Sequence, residues 1–230
     1  MRVAIIPARG GSKRIPRKNI KSFFGQPMIA YSINAARDSG CFDRIIVSTD
    51  DQEIADIAQQ HGAEVPFIRP TNISDDHATT MDVIQHALVW LAQHDCQPEL
   101  VCCIYATAPF VRADKLEEGL DRIQQLDCDY AFSATSFPFP IQRALKLTTE
   151  GTVCMFMPEH QTTRSQDLEE AIHDAGQFYW GTTKAFVEGR AIFSERSVPV
   201  ILPRIEVQDI DTLEDWETAE GLFALMEIQK

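Results

Sequence analysis

The sequence has no run of 18 apolar residues, and its N-terminal apolar stretch is broken by Pro7 and Arg9. It therefore predicts neither a membrane span nor a signal peptide. Its six cysteines lack the paired spacing of a metal site, and Cys102-Cys103 lies inside an apolar run, so they read as reduced core cysteines of a cytoplasmic protein. The six histidines are scattered, with no His-x-x-x-His pair to support zinc. His77 and His173 read as loop or structural residues. Gly-x-Gly-x-x-Gly, Walker A and Gly-x-Ser-x-Gly segments are all missing, which disfavours NAD binding, P-loop hydrolysis and serine hydrolase chemistry. Positive charge is short overall: 21 Lys and Arg stand against 34 Asp and Glu, for a net −13. Such a body repels DNA, RNA and anionic membrane. Acidic residues are missing from one place only. Residues 1–37 contain none, so that segment is formally +8 and the remainder carries −21.

This inversion needs a local cause, and a polyphosphate supplies one. The stretch Ile5–Gly25 is an apolar strand running into a loop of small residues and bases. Gly10, Gly11 and Ser12 let backbone N–H groups approach an anion, and Arg9, Lys13, Arg14, Arg17 and Lys18 supply charge-assisted donors. The competing reading is a solvated basic loop.

With 230 residues and 44% hydrophobic content, the chain can bury a full core as a single domain, residues 1–230. Apolar runs at Val3–Pro7, Arg44–Thr49, Val65–Ile68, Leu100–Tyr105, Tyr130–Thr135 and Val198–Leu202 read as strands. The Val65–Ile68 run, weakened by Pro66, belongs near an edge. Between them lie helical patterns: from Pro27 to Arg37, after Asp50-Asp51, after Thr79 or Thr80, from Asp114 to Leu126, and from Thr212 to Ile228. Strands alternating with amphipathic helices predict an α/β fold, three-layer, with a mostly parallel sheet. Ligands in such sheets bind at the carboxyl ends of the strands. The basic loop, Ser48-Thr49-Asp50 and Ala106-Thr107-Ala108-Pro109 follow three of these strands, so three polar clusters converge there. The alternation lapses from about 137 to 174, which reads as a small β-containing insertion. Its Met155, Phe156 and Met157 are expected to be exposed and to make a homodimer contact.

Asp209 and Asp211, one residue apart, share a face if that segment is extended. Two hard oxygen ligands suit Mg²⁺, although Asp211 could equally cap the last helix. Asp50 is open to the same pair of readings, ligand contact or cap. Thr79, Thr80 and Thr107 are hydroxyl donors that read as ligand contacts of low specificity. Phe178 and Tyr179 either line a pocket or belong to the core.

Ile6-Pro7-Ala8-Arg9-Gly10-Gly11-Ser12-Lys13-Arg14-Ile15-Pro16-Arg17-Lys18-Asn19 resembles the signature of cytidylyltransferases that activate sialic-acid-like nonulosonic sugars. Val47-Ser48-Thr49-Asp50-Asp51, Arg164-Ser165-Gln166-Asp167 and Gln208-Asp209-Ile210-Asp211 follow in that family's order, so the resemblance covers nearly the whole chain. It implies a nucleotide-diphospho-sugar transferase-like fold and a reaction that joins CTP to the anomeric hydroxyl of a nine-carbon α-keto acid. The roles it implies put Arg9, Gly10, Gly11, Ser12, Lys18, Asn19, Asp50, Thr79 and Thr107 on the nucleotide, with Lys18 and Arg9 catalytic. Arg164 and Gln166 resemble the family's sugar-binding pair, with Arg143 and Lys146 as the alternative cations for the keto-acid carboxylate and Tyr179 in the pocket wall. Asp209 and Asp211 would hold Mg²⁺. Where sialate enzymes carry a Leu-Gln-Pro-Thr-Ser-Pro type segment, this chain reads Ile104-Tyr105-Ala106-Thr107-Ala108-Pro109 and lacks the amide. That change, with Ile141–Leu145 and His173–Trp180, looks like the pseudaminic acid branch. N-acetylneuraminate activation is the near alternative, and a glycosyltransferase or a non-catalytic nucleotide-binding homologue are the readings from other classes. The basic loop separates the first of these, since a diphosphate sugar donor has less need of Lys13 to Lys18; the intact Arg9, Lys18, Asp209 and Asp211 weigh against the second.

Overall fold

The computed structural model describes residues 1–75 and 78–228, so the reading of His77 lies outside the described residues. Strand β1 (Arg2–Pro7) has Val3 to Ile6 fully buried, as a run of branched aliphatics covered on both faces must be. A two-stranded hairpin, β2 (Ser22–Phe23) and β3 (Gln26–Pro27), leads into helix α1 (Met28–Asp38). Then come β4 (Arg44–Ser48), α2 (Gln52–Gln60), α3 (Thr80–Gln93), β5 (Leu100–Ile104), α4 (Ala113–Gln125) and β6 (Tyr130–Ser136). A short hairpin, β7 (Leu145–Leu147) with β8 (Val153–Met155), occupies the insertion. The chain closes with β9 (Ile172–Thr182), α5 (Thr183–Val187), β10 (Ser197–Ile201) and α6 (Leu213–Ile228).

The main sheet runs β10-β6-β9-β5-β1-β4. All neighbours are parallel except β9, which lies antiparallel between β5 and β6. Helices cover both faces. On one, Ile33 of α1, Ile54 of α2 and Leu120 of α4 pack on Ile6, Phe178 and Trp180. On the other, Leu88 of α3 and Phe186 of α5 pack on Ile5, Tyr130 and Tyr179. Each fully buried side chain of this size contributes about 1.5–3 kcal/mol, so the three-layer arrangement follows from the apolar runs. A third, smaller core beneath α6 joins Ile15 of the basic loop to Ile210 and Trp216.

Two expectations need correction. Val65–Ile68 is not a strand; isolated bridges flank it, Glu64 to Ile46 of β4 and Ile68 to Thr49 just beyond β4. Pro66 has no N–H to give a ladder, which limits pairing to those two points. The insertion is also shorter at its end. Strand β9 begins at Ile172, and His173 and Asp174 pair with Thr135 and Ala134, so those residues belong to the main sheet. Within the arm, Phe156 and Met157 are exposed as expected, whereas Met155 is half-buried.

Gly181 shows how closely β9 is packed. A Cβ there would stand 2.5 Å from Phe186 Cε2 and 2.7 Å from two ring atoms of Tyr130, and both rings are fully buried. Gly181→Ala is expected to cost about 1–3 kcal/mol through overpacking. A lower urea midpoint with an unchanged slope is the result that checks it; an unchanged midpoint overturns the assignment.

Candidate active site

Beyond β1 the chain is steered by backbone contacts to the second strand. Ala8 N–H donates to Ser48 O at 2.9 Å, and Gly10 N–H donates to Asp50 Oδ1 at 2.9 Å. A Cβ on Gly10 would lie 2.7 Å from Asp51 Oδ2, so glycine is what lets the loop approach these carboxylates. A Cβ on Gly11 would meet nothing within 4 Å. Asp51 has two duties: its Oδ1 accepts from Ile54 N–H at 3.0 Å, capping α2, and from Arg17 Nη2 at 3.0 Å. The guanidinium of Arg17 is the first cause of the lowered Asp51 pKa, and Asp51 in turn raises Arg17. Arg17 also reaches Glu53, and it sits in the left-handed region with φ 57°. Arg17 is therefore a strap that shapes the loop, in place of the phosphate donor expected of it.

The loop closes over a cavity of about 290 Å³ at the carboxyl ends of β1 and β5. Of the expected nucleotide residues, Arg9, Ser12, Lys18, Asn19, Thr79 and Thr107 line it. Asn19 Nδ2 holds Arg9 O at 2.9 Å, and Arg9 Nη1 donates to Asp75 O at 2.9 Å. Thr79 also forms a reciprocal capping box with Asp82 at the start of α3. Gly10 and Asp50 stand behind this wall and shape it. Asp50 does not cap α2, since Asp51 does.

Arg69 was not singled out from the sequence, yet it lines this cavity and is only 4% exposed. Its N–H donates to Thr49 O at 2.7 Å, its guanidinium lies 3.8 Å from Asp50 Oδ1, and Nε donates to Ser74 Oγ at 3.3 Å. Burial lowers its pKa, against the pull of Asp50. A buried cation with one distant carboxylate is a strong donor toward any acceptor that enters. The only trace in the sequence is its place just after the Val65–Ile68 run.

The acidic pair arrives from the far end of the chain. Ile210 is buried in the small core with Ile15, and the flanking Asp209 and Asp211 turn outward. Asp211 lines the first cavity and pairs with Arg14 at 2.8 Å, while Lys18 Nζ stands 3.5 Å from it and donates to Ile210 O. Asp211 does not cap α6. Asp215 instead accepts from the N–H groups of Asp211 and Thr212 at 3.1 and 2.7 Å. Asp209 lines a second cavity of about 400 Å³, and burial, then the charge of Asp211, raise its pKa. The described residues contain no group of three or more His, Cys, Asp or Glu poised for a metal. Two neighbouring carboxylates that repel each other still fit Mg²⁺, which takes much of its shell from water and substrate phosphates.

The second cavity adjoins the first at Tyr105, which lines both, and Tyr179 lies in its wall. Tyr105 hydroxyl meets Thr80 Oγ1 at 3.2 Å, and Tyr179 hydroxyl donates to Asp174 Oδ2 at 2.5 Å. Burial raises the pKa of both phenols. Arg143, Arg164 and Gln166 are not brought here, because they lie in the arm and line neither cavity. Arg143 donates to Ser165 Oγ at 3.3 Å and to Thr163 O, and Arg164 pairs with Asp167 at 2.7 Å. Within one chain Arg143 and Arg164 hold the arm together.

The cytidylyltransferase family model matches residues 3–221. The chain is 48% identical over 221 residues to the pseudaminic acid cytidylyltransferase of Campylobacter jejuni, covering 96% of this chain and 95% of that one. It is 32% identical over 230 residues to the CMP-N,N'-diacetyllegionaminic acid synthase of Legionella pneumophila, covering 97% and 96%. Among solved structures, a CMP:2-keto-3-deoxy-manno-octonic acid synthetase complexed with CTP superposes with a TM-score of 0.70 at 17% identity, covering 98% and 99%. That likeness bears out the three-layer α/β fold. With a family match spanning nearly the whole chain and a cationic loop closing over the strand ends, this chain belongs to the cytidylyltransferase family.

Proposed function

We propose that this protein transfers CMP from CTP to the anomeric hydroxyl of a nonulosonic acid, pseudaminic acid, releasing pyrophosphate. The observation that carries the reading is the first cavity, where Arg9, Lys13, Arg14, Lys18 and Arg69 surround one polar hollow in an otherwise acidic protein. A triphosphate matches that charge. In the reaction the anomeric oxygen forms a bond to the α-phosphorus, the bond from that phosphorus to the pyrophosphate oxygen breaks, the electron pair leaves with pyrophosphate, and the hydroxyl proton passes to water. Lys18, fixed by Ile210 O and near Asp211, holds a positive charge where negative charge grows on the phosphoryl oxygens. Arg9 and Ser12 bind the outer phosphates. Asp209 and Asp211 would hold Mg²⁺, which when bound neutralises phosphate charge. The high identity to the Campylobacter pseudaminic acid enzyme supports the choice of sugar, as does Tyr105 where sialate enzymes carry an amide.

Two features of the assembly belong to the same reading. The arm exposes Phe139, Leu147, Val153 and Phe156, an apolar surface suited to a second copy of the chain. A cytoplasmic setting accords with six free cysteines, and none of the described helices is long and apolar enough to cross a membrane; cell fractionation is the check.

Pyrophosphate release with CTP and Mg²⁺ should occur with pseudaminic acid, and be weak with N-acetylneuraminic acid and Kdo. No release with any of the three would overturn the reading. Lys18→Ala should lower kcat by about 10²–10³-fold with little loss of thermal stability; near-normal turnover removes its role. Asp209→Ala should retain CTP binding yet stay inactive at saturating Mg²⁺, and rescue by added metal would remove Asp209 as a ligand. Light scattering at micromolar protein should give twice the 25.9 kDa chain mass, and a monomer mass would dismiss the dimer.

A further inference from the structure

The two cavities that meet at Tyr105 have opposite charge. The first is lined by five Lys and Arg against two carboxylates, Asp75 and Asp211, whereas the described residues lining the second include no Lys or Arg and two carboxylates, Asp174 and Asp209. With the triphosphate in the first cavity, the anomeric hydroxyl of a sugar acid reacts only where it stands beside the α-phosphate, at the junction of the two cavities. The carboxylate is borne by the same carbon and stays at that junction, away from Asp174, so the acetamido-bearing end extends into the second cavity.

Asp174 is prepared for donors there. Its Oδ1 accepts from Gly176 N–H at 2.9 Å and its Oδ2 from Tyr179 hydroxyl at 2.5 Å. A carboxylate offers roughly four acceptor sites, so about two remain open. The side chain is exposed to the cavity, while Tyr179 is only 3% exposed and spends its single proton on Asp174. Tyr179 thus acts through Asp174, and its place in this site is that of a positioning residue.

We propose that Asp174 is a specificity-determining residue whose carboxylate, aimed by Tyr179, accepts hydrogen bonds from the acetamido N–H and hydroxyl donors of the sugar acid. This rests on the reaction proposed above. A neutral amide at the same place would supply fewer acceptors, and an apolar residue none.

The test is pyrophosphate release by the full chain, with pseudaminic acid varied at saturating CTP and CTP varied at saturating acid. Asp174→Ala should raise KM for the acid tenfold to about a hundredfold and leave KM for CTP within about twofold. Asp174→Asn should give a smaller rise, since one carbonyl oxygen remains. Tyr179→Phe should also raise KM for the acid by less, with kcat little changed. Thermal melting of each variant confirms folding. An unchanged KM for the acid in Asp174→Ala, or an equal rise in both KM values, overturns the inference while the reaction stands. A wild-type chain inactive with every acid defeats the reaction reading, and the inference with it.

Discussion

Asp50 and Asp51 hold a loop that would otherwise be pushed apart by its own charge. Asp50 takes the Gly10 N–H and faces Arg69, and Asp51 takes Arg17 while capping α2. Asp211 supplies the third anchor, to Arg14 and Lys18. Like charges within a few ångströms repel by about 1 kcal/mol each even in water, and by several times that near a protein surface. With its acids supplied from other segments, the loop keeps Arg9, Lys13, Arg14 and Lys18 crowded around one cavity. The location of the site, the absence of acidic residues before Arg37 and the placement of the acidic pair are consequences of this arrangement.

Much of the fold was legible because it rests on apolar patterning. The buried runs of β1 and β5 and the helical stripe of α3 place three strand ends and their loops together, and that placement identifies the site. What patterning does not carry is direction. An apolar stretch such as Phe178-Tyr179-Trp180 packs equally well in a parallel or an antiparallel strand, and here it runs against its neighbours. The Val65–Ile68 run has strand composition yet makes only isolated bridges, since Pro66 withholds a donor.

At the site, motif residues were easier to place than lone ones. Arg9, Ser12, Lys18 and Asn19 come in one cluster and line one cavity. Arg69 has no patterned neighbours, and its importance lies in burial, which only the fold reveals. Arg17 shows the opposite case, a cation inside the motif that is used within the chain. The arm residues Arg164 and Gln166 come from the resemblance, with Arg143 beside them, but the contacts of Arg143 and Arg164 in one chain are local. For Tyr179 the sequence left wall and core both open, and its bond to Asp174, five residues earlier on the same strand, depends on the left-handed Gly176 (φ 63°) between them.

The small core joining Ile15 to Ile210 ties the first turn of the site to a segment that follows all the strands of the main sheet. Lys18 and the Ile210 carbonyl that receives it are 192 residues apart. At about 5–20 residues per second, a ribosome needs roughly 10–40 s to make that interval. For that time the nascent chain carries an emerged cationic loop with Asp50 and Asp51 as partners but without Asp211. The site is therefore completed only after every strand of the main sheet has been made, long after its own first residues.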